Sequence, residues 1–563
     1  MKVYLLLCFL FIFSTTSFCQ QILLDESFDD WNNQNYSFKD KSGDNNSSGI
    51  DLTDVKISND DRYLYLYFDL NKEINIQENN NLTLFIDIDN NAFTGINKYG
   101  IGADLVYFLG SRSGRIYQGS STYTIFHNNI GLITSPTVTS ERFEMSIQRT
   151  FSIGNIQFKM SDAIKVILSD EGIAGDRAPD INGGYGFEFD KNKVFVPSMF
   201  SLKKEKSEYL RVLSYNVLRD NLFDPSLQQN YRRILKGLSP DIIGFCEIYD
   251  RSPEQTAALV ESHLPSAGNQ KWYSDGTSPD IRVVSRYPIV NRRSINGNGA
   301  FLIDLGKSKL VFIVAHLPCC DNELQRQQEV DNIMSFVRGI KFGISPFQTP
   351  QNTPIIIVGD MNLVGLRQQQ QTFLTGNIAD NSSYGPDFKP DWDGTDLEDA
   401  IPLTNNMPAT FTWYSEFGTY SAGRLDYLIF SGSVVEMKNS FALWSPSLTP
   451  EQLLLSGIQK DDVPIASDHV PLIGDFLMPG FSSSTSTEIV KAPFEYKVSN
   501  DQLIFNSMLS GQVTITDISG RTIYSIQKTS GIDQIEIDLN FNSGVYILHF
   551  STDREKYNTK FFR

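Results

Sequence analysis

The sequence predicts a multidomain chain in which a segment of mixed strands and helices lies between two all-β segments. Residues 22–197 contain strand-like runs rich in aromatic and β-branched residues, separated by Asn, Asp and Gly clusters. From 208 to 478, apolar strand-like runs alternate with helical periodicity, and short alternating runs return after a Ser/Thr-rich stretch. A chain of 563 residues is also too long for one hydrophobic core.

The first 20 residues have the pattern of a signal peptide. Lys2 provides a short positive region, 3–13 form an apolar run and 14–19 are small or polar, so we expect cleavage near Gln20 or Gln21. The apolar run is shorter than the roughly 20 residues that a membrane helix needs, and we expect no transmembrane segment in the rest of the sequence. The mature protein is therefore predicted to be exported.

Charge and cysteine content exclude some classes of function. A formal net charge of −18 argues against a protein that coats nucleic acid or anionic membranes electrostatically, but it is compatible with an enzyme that recruits a cation to meet a phosphate. Outside the signal segment, Cys246, Cys319 and Cys320 remain. An odd number that includes an adjacent pair predicts no disulfide framework, and we expect small apolar fillers rather than reactive thiols.

The first all-β segment, 21–197, contains an acidic turn between two strand-like runs. Closely spaced carboxylate and amide oxygens suit a hard cation such as Ca²⁺, and the alternative is an ordinary polar hairpin loop. The candidate calcium ligands are Asp87, Asp89, Asn91 and Asp104. With the Gly102-Ala103-Asp104 run that follows, the segment resembles family 9 carbohydrate-binding modules. This resemblance implies an accessory β-sandwich with a glycan as its candidate partner.

A charged connector at 198–207 precedes the mixed segment, in which polar side chains recur at one end of six apolar runs. The clearest case is the buried run 355–358, which Gly359 and then Asp360 and Asn362 follow. The whole set is Asn216, Glu247, His316, Asp360 with Asn362, Asp426, and Asp468 with His469. Each alone is an ordinary strand end, but six such ends at one rim predict a shared cleft.

The residue types in this set favour phosphoester chemistry. Hydrolysis of a phosphoester needs a cation to neutralise developing charge, an oriented water and a proton for the leaving oxygen. Carboxylates and amides without a Cys/His cluster indicate Mg²⁺ or Mn²⁺, with Ca²⁺ as a further candidate, rather than zinc.

The mixed segment resembles the endonuclease/exonuclease/phosphatase superfamily. The similarity spans 208–478 and lies in Ser214-Tyr215-Asn216-Val217, Phe245-Cys246-Glu247, Val284-Ser285-Arg286-Tyr287-Pro288, Ala315-His316-Leu317, Gly359-Asp360-Met361-Asn362, Thr412-Trp413, Arg424-Leu425-Asp426-Tyr427 and Ser467-Asp468-His469. It implies a four-layered α+β sandwich, in which helices flank two face-to-face sheets and the site lies at their common edge.

The same resemblance implies a role for each residue of the set. Glu247 would be the main metal ligand, with Asn216 and Asp468 close to the metal. Asp360 and Asn362 would position the nucleophile and the phosphate. His469, oriented by Asp426, would act as base or phosphate contact, and His316 would be the partner acid or a transition-state donor.

Some residues keep a second interpretation. Asp426 could instead pair with Arg424, and Thr412-Trp413 could be core packing. Arg286 and Arg326 are candidate phosphate contacts, although a solvated arginine is the alternative for each. The histidines outside the set, His127, His263 and His549, are predicted to be structural.

A Ser/Thr-rich linker at 479–492 leads to a second all-β segment at 493–563. The alternating run 511–521, the Asn542–Leu548 run and the basic end resemble the C-terminal sorting domain of type IX secretion cargo from Bacteroidetes. This resemblance implies the type IX machinery as a partner, and a secreted or cell-surface protein of a Gram-negative bacterium of that type. The competing interpretation is an independent small β-sandwich.

Three functions remain in competition. A secreted metal-dependent nuclease or phosphodiesterase is favoured, with nucleic acid as the preferred phosphodiester substrate. A phospholipid or sugar-phosphate hydrolase would use the same chemistry. A non-catalytic carbohydrate-binding surface protein would show gaps among the motif residues, and the sequence has none.

Overall fold

The computed structural model describes residues 21–45, 49–173, 175–268, 270–277, 279–478, 494–499, 502–507, 510–529, 534–552 and 556–563. The predicted signal peptide and the predicted 479–492 linker lie outside these residues. The chain divides into two compact units, of which one holds nearly all of the described chain up to 478 and the other holds the C-terminal strands. No helix among the described residues is long and apolar enough to cross a membrane.

The N-terminal part of the first unit is a sandwich of two antiparallel sheets. One sheet has the strand order Tyr36–Lys39, Asp54–Asn59, Tyr63–Ile74, Ser140–Gln148 and Ile133–Ser135. The other has the order Arg177–Ala178, Ala163–Asp170, Leu82–Asp87, Leu105–Phe108, Ser113–Gln118 and Ser121–Ile125, and Tyr185–Glu188 also pairs with Ala163–Asp170. Small hairpins join Ile96–Lys98 to Ile101–Ala103 and Thr150–Ile153 to Ile156–Lys159, and His127–Ile130 is a single helical turn.

The first six residues of the strand Tyr63–Ile74, 63–68, are buried on both faces, and their alternating sequence explains why. Leu64, Leu66 and Phe68 point into the core between the two sheets of the N-terminal sandwich. The residues between them, including Tyr65 and Tyr67, belong to a different core that they share with the mixed segment. Because successive side chains of a strand face opposite ways, one strand joins the two domains into a single packed unit.

The mixed segment folds into two six-stranded sheets. The first has the order Tyr273–Thr277, Ile281–Ser285, Ile242–Cys246, Leu210–Asn216, Leu472–Leu477 and Glu436–Ala442. The second has the order Ile289–Ile295, Asn298–Asp304, Lys309–His316, Ile355–Asp360, Asp426–Phe430 and Glu398–Asp399. Their inner faces share one core. The sheets approach so closely that a Cβ on Gly244 would lie 2.8 Å from the Val314 side chain.

Helices cover the outer faces of both sheets, which confirms the predicted four-layered α+β sandwich. Glu323–Lys341 buries Val330, Ile333, Met334 and Val337 in the core beside the second sheet. On the other side, Gln228–Leu238 places Tyr231 5.8 Å from the Tyr215 ring of the first sheet. The remaining helices are Pro253–His263, Arg367–Thr375, Asn381–Tyr384, Pro450–Ser456 and Asp462–Ala466.

Strand directions bring the polar strand ends to one edge. Leu210–Asn216 runs parallel to Ile242–Cys246, and Lys309–His316 runs parallel to Ile355–Asp360, so their C-terminal residues lie side by side. Asp426–Phe430 is antiparallel to Ile355–Asp360, and its first residue pairs with Asp360. An antiparallel strand that begins at this edge therefore supplies the same rim as parallel strands that end there.

The second unit has a three-stranded and a four-stranded sheet. The first has the order Phe494–Ser499, Gln502–Ser507 and Gln534–Asp538, and the second has the order Thr522–Lys528, Gly511–Asp517, Val545–Ser551 and Lys556–Phe562. Alternate residues such as Val513 and Ile515 form the core. Gly520, at a φ of 82°, lies in the turn that joins two of these strands, where the sequence predicts a turn.

Candidate active site

Two histidine–aspartate pairs converge on one carboxylate. His469 Nδ1 lies 2.8 Å from Asp426 Oδ2, and its Nε2 lies 3.4 Å from Asp360 Oδ2. His316 Nδ1 lies 2.8 Å from Asp280 Oδ2, and its Nε2 lies 3.6 Å from the same Asp360 oxygen. Each aspartate orients its ring so that the second nitrogen faces the site.

Asn216 connects two carboxylates of the site through hydrogen bonds. Its Nδ2 donates to Glu247 Oε1 and to Asp360 Oδ2, both at 3.0 Å. The backbone N–H of Leu218 donates to its Oδ1, which fixes the orientation of the amide. In this orientation the Asn216 amide nitrogen bridges Glu247 and Asp360.

Asp280 is a site residue that sequence reasoning missed. Its Oδ2 pairs with His316, and its Oδ1 accepts the backbone N–H of Glu247 at 2.7 Å. Glu247 adopts a left-handed backbone with a φ of 66°, and the Asp280 contact stabilises this uncommon conformation. A signal was present in the sequence, because Asp280 immediately precedes the strand Ile281–Ser285, which begins at the same edge.

Nearby carboxylates raise the pKa of both site histidines. Burial opposes a charge on His469, but Asp426 and Asp360 outweigh it and raise the pKa of this imidazole. Burial likewise opposes a charge on His316, and Asp280 and Asp360 outweigh it to raise its pKa to about 9. With Nδ1 of each ring paired to an aspartate, the Nε2 atoms of His316 and His469 both face Asp360.

The remaining predicted residues lie beside this cluster. Asp468 Oδ2 accepts the indole N–H of Trp413 at 3.1 Å. Asn362 donates from its amide to the carbonyl of Leu317, and its backbone N–H donates to Asp360 Oδ1 at 3.1 Å. Asn362 also lines the cleft. Trp413 thus does more than fill the core, since it contacts Asp468 and lines the cleft, whereas Thr412 is fully buried.

The donor atoms fit a hard divalent cation. Glu247 and Asp360 both line the cleft, and one oxygen of each approaches the same Asn216 nitrogen. Within the described residues, Asp468 Oδ1 and Asp426 Oδ1 are buried without a hydrogen-bond partner, so two further oxygens have no protein donor. Ligand atoms of Asp360, Asp426 and His469 lie within 4.8 Å of one another. Such an oxygen-rich set suits Mg²⁺ or Mn²⁺.

The two candidate phosphate arginines do not reach this site. Arg286 stacks on Trp272 at 3.8 Å from the ring and donates to Ser266. Arg326 is fully buried, where Gln369 and Glu323 accept its guanidinium hydrogen bonds. Both predictions were wrong, because packing contacts already use these side chains. The arginine that lines the cleft is Arg219, which is exposed.

Contacts and burial also decide the roles of Arg424 and the three cysteines. Arg424 forms ion pairs with Glu26 and Asp399 rather than with Asp426, at 2.8 and 2.7 Å. Cys246 is buried as expected. The filler prediction was wrong for Cys319 and Cys320, which are exposed and line the cleft because they follow the strand into its rim.

The acidic turn of the N-terminal sandwich brings three of its four predicted ligands together. Carboxylate oxygens of Asp87, Asp89 and Asp104 lie within 4.8 Å of one another. Asp87 is buried, and its Oδ2 has no hydrogen-bond partner among the described residues. Asn91 instead donates its backbone N–H to Asp87 and Asp89, and its side-chain oxygen accepts from Phe93. Calcium binding here stays a prediction.

The site opens into a cleft of about 1040 Å³ whose walls come from both domains of the first unit. Glu247, His316, Asp360 and His469 lie in this cleft, and Asp280 is part of its wall. The N-terminal sandwich contributes the residues Asn75, Gln77, Glu78 and Thr137.

Comparisons with known proteins agree with this geometry. Residues 213–469 match the Endonuclease/Exonuclease/phosphatase family, and residues 497–562 match the Secretion system C-terminal sorting domain. The middle of the chain is therefore similar to this family, and its C-terminal segment is similar to the sorting domain of type IX secretion, which directs proteins to the cell surface or the medium in Bacteroidetes. No curated protein matches the chain.

Several solved structures resemble the middle of the chain. Truncated TDP2 from Caenorhabditis elegans is 16% identical, with 48% of this chain and 99% of that chain covered and a TM-score of 0.32. The human Nocturnin catalytic domain with bound sulfate is 16% identical, with 48% and 94% covered and a TM-score of 0.30. A family protein from Leptotrichia buccalis is 14% identical, with 47% and 99% covered and a TM-score of 0.32.

Proposed function

Because residues 213–469 form an endonuclease/exonuclease/phosphatase family domain, we propose that this protein is a secreted, metal-dependent phosphoester hydrolase that acts on phosphodiesters. The observation that carries the proposal is the convergence of two oriented histidines on Asp360, with Glu247 beside it. Residues of this arrangement could hold the cation, orient the water and supply the proton that phosphoester hydrolysis needs.

Each residue has a defined task in this proposal. Glu247 and Asp360, with Asp468 nearby, would hold a divalent cation, which when bound would neutralise the charge that develops on the phosphate. Asp360 Oδ2 is acceptor-only when ionised, so it can orient a water by accepting its proton. The Nε2–H groups of His316 and His469 can donate to phosphate oxygens and supply the proton for the leaving oxygen.

Three further residues position the groups that would contact the substrate or the metal. They are Asp426, Asp280 and Asn216. The two aspartates fix the tautomer and the direction of His469 and His316 by accepting from their Nδ1 atoms. Asn216 donates a hydrogen bond to both Glu247 and Asp360, which reduces the electrostatic repulsion between the two carboxylates. These positioning contacts are expected to affect turnover more than substrate affinity.

A second candidate concerns the substrate. The sequence favours a nuclease, and the competing candidate is a phospholipid or sugar-phosphate hydrolase of the same chemistry. Among the described residues, seven carboxylates line the cleft and Arg219 is the one lysine or arginine that does so. Nucleic-acid sites rely on phosphate neutralisation by basic side chains, so this lining favours a small phosphoester.

The test is hydrolysis of bis(p-nitrophenyl) phosphate by the mature protein with Mg²⁺, Mn²⁺ or Ca²⁺, and in excess EDTA. We expect metal-dependent turnover that Asp360→Asn and His469→Ala each reduce by about 10²-fold or more. His549→Ala, in the C-terminal unit, is the matched control and should retain full activity. Equal turnover by His469→Ala and the wild type would overturn the site, and no metal-dependent turnover of any phosphodiester would favour a non-catalytic surface protein.

A further inference from the structure

One wall of the cleft belongs to the N-terminal sandwich rather than to the hydrolase domain. The segment Asn75–Glu78 follows the long strand Tyr63–Ile74, and Asn75, Gln77 and Glu78 line the cleft. Tyr420 and Ser421 of the hydrolase domain complete this wall. A module that only bound glycans at a distance would not need to supply residues to the catalytic cleft.

The wall is held in place by a packed interface. Tyr65 and Tyr67 of the sandwich share a core with the hydrolase domain. Arg424, which is 1% exposed, pairs with Glu26 of the sandwich at 2.8 Å. Because both a shared core and a buried ion pair would have to separate, the sandwich cannot swing away from the cleft without partial unfolding.

Individual hydrogen bonds then fix the wall residues. Asn75 donates to the carbonyl of Val364 at 3.0 Å, and Gln77 Oε1 accepts the backbone N–H of Ser421 at 2.8 Å. The Tyr420 hydroxyl donates to Glu78. Arg112 lies 4.1 Å from the Tyr420 ring centroid and 3.6 Å from Glu78 Oε1, so it supports the wall from the sandwich side.

The same contacts connect the wall to the catalytic residues. Tyr420 and Ser421 lie in the loop between Trp413, which contacts Asp468, and Asp426, which orients His469. The sandwich therefore anchors the loop that carries part of the active site. Changes in the wall are expected to alter which substrates enter, while the histidine pairs keep their contacts.

The charge of the cleft limits what can fill it. Besides the catalytic carboxylates Glu247, Asp280 and Asp360 and the buried Glu329, its lining includes three outer carboxylates, Glu78, Asp321 and Glu323. A cation held by Glu247 and Asp360 would compensate one phosphate, but the further phosphates of a polynucleotide would approach these outer carboxylates. Carboxylates, amides and an aromatic face are in contrast suited to hydroxyl groups and to a flat sugar or polyol face.

We propose that the N-terminal sandwich is a specificity element of the active site, and that its Asn75–Glu78 wall selects compact phosphodiesters with a hydroxyl-rich sugar or polyol group against extended polyanions. This inference rests on the proposed hydrolase function. Glu78 and Tyr420 are the specificity-determining residues at the contact between the two domains, and the outer carboxylates add to the selection.

The test compares three substrates on the full mature protein with Mg²⁺ or Mn²⁺. These are bis(p-nitrophenyl) phosphate, glycerophosphoinositol as the hydroxyl-rich compact diester, and a labelled DNA oligonucleotide in single-stranded and duplex form. For the wild type, we expect kcat/KM for glycerophosphoinositol to exceed that for either DNA form by about tenfold or more. The charge-reversing Glu78→Lys should narrow this ratio by about fivefold or more, and Glu78→Gln should narrow it less.

Glu141→Lys is the matched control, because Glu141 is an exposed acid of the same sandwich outside the cleft lining. It should leave the substrate ratio unchanged, which separates a local effect at the wall from a change in net charge. Thermal unfolding of each variant identifies misfolding, and Glu78→Gln keeps the test valid if the lysine variant does not fold.

The outcomes separate this inference from the function on which it rests. If bis(p-nitrophenyl) phosphate is hydrolysed but DNA is the better substrate, the selection by the wall is overturned and the hydrolase function stands. The same holds if the ratio is equal in the wild type and both Glu78 variants. If none of the three substrates is hydrolysed with any metal, the proposed function itself fails.

Discussion

The buried Asp426–His469 pair offers the sharpest prediction about catalysis. We expect Asp426→Asn to lower kcat strongly with little change in KM, because the amide cannot hold the Nδ1–H of His469 as the carboxylate does. Asp426 is fully buried and its Oδ2 lies 2.8 Å from that nitrogen. The substitution keeps the size of the side chain, removes its charge and replaces one acceptor oxygen by an NH2 donor.

The size of the effect follows from burial. A hydrogen bond to a charged group contributes about 1.5–3 kcal/mol, which is roughly 10- to 150-fold in rate. Loss of the correct tautomer can extend this to about 10⁴-fold. The Asp280 carboxylate that pairs with His316 is 20% exposed at the same distance of 2.8 Å. Because water partly replaces it, Asp280→Asn should cost about 1 kcal/mol, or roughly fivefold.

The assay is steady-state hydrolysis of bis(p-nitrophenyl) phosphate at saturating metal, with thermal unfolding of both variants to confirm folding. The two aspartates serve as controls for each other, since both orient a histidine towards Asp360. If Asp426→Asn retains kcat within about twofold of the wild type, or if Asp280→Asn loses more activity than Asp426→Asn, the reasoning from burial is refuted.

Three further predictions concern stability and metal binding. Arg424→Met leaves Glu26 and Asp399 buried without a counter-ion, so we expect the free energy of unfolding in urea to fall by about 3–5 kcal/mol. Adding Glu26→Gln and Asp399→Asn should restore most of this stability. An unchanged urea midpoint in Arg424→Met would contradict the buried interface. Burial lowers the pKa of His263 from 6.5 to about 4, so as the pH falls the unfolded chain takes up this proton before the folded chain does. About 2–3 kcal/mol of stability should therefore be lost between pH 6.5 and 4. His263→Leu should flatten this part of the profile of stability against pH, and an equal slope in the variant and the wild type would contradict the prediction. Ca²⁺ at 100 times its Kd should stabilise the mature protein by about 2.7 kcal/mol in thermal unfolding. Asp87→Asn, which removes one carboxylate of the acidic turn, should abolish this stabilisation. If the stabilisation survives the substitution, the calcium binds elsewhere.

Most of the architecture was predictable from local patterns. The run 355–358 is buried on both faces, and Ile234 and Leu238 keep the helical period on the inner side of their helix. Alternation and turn residues depend on neighbours within a few positions, so the fold class could be derived before any contact was known. The resemblance to the phosphoester hydrolases likewise used short motifs at strand ends.

The site was only partly predictable. Asp360 and His469 could be identified because each lies next to an obvious apolar run. Asp280 was missed, although it immediately precedes a strand that begins at the edge of the sheet where the site lies. Arg286 and Arg326 were plausible phosphate contacts. However, Arg286 stacks on the ring of Trp272, and Arg326 is buried and donates to Glu323 of its own helix. Sequence can propose a side chain for a site, but the packing around it decides where that side chain points.

The sequence by itself determined the strands, the helices and the chemical character of the residues at the rim, because these depend on local periodicity and side-chain type. Only the tertiary structure decided that the N-terminal sandwich shares a core with the hydrolase domain and forms a wall of its cleft. The reason is that Tyr65 and Tyr67 alternate with leucines in one strand, and a buried face looks the same in sequence whichever domain covers it. Long-range contacts such as that of Tyr420 with Glu78 join residues 342 positions apart, and no local pattern specifies that partner.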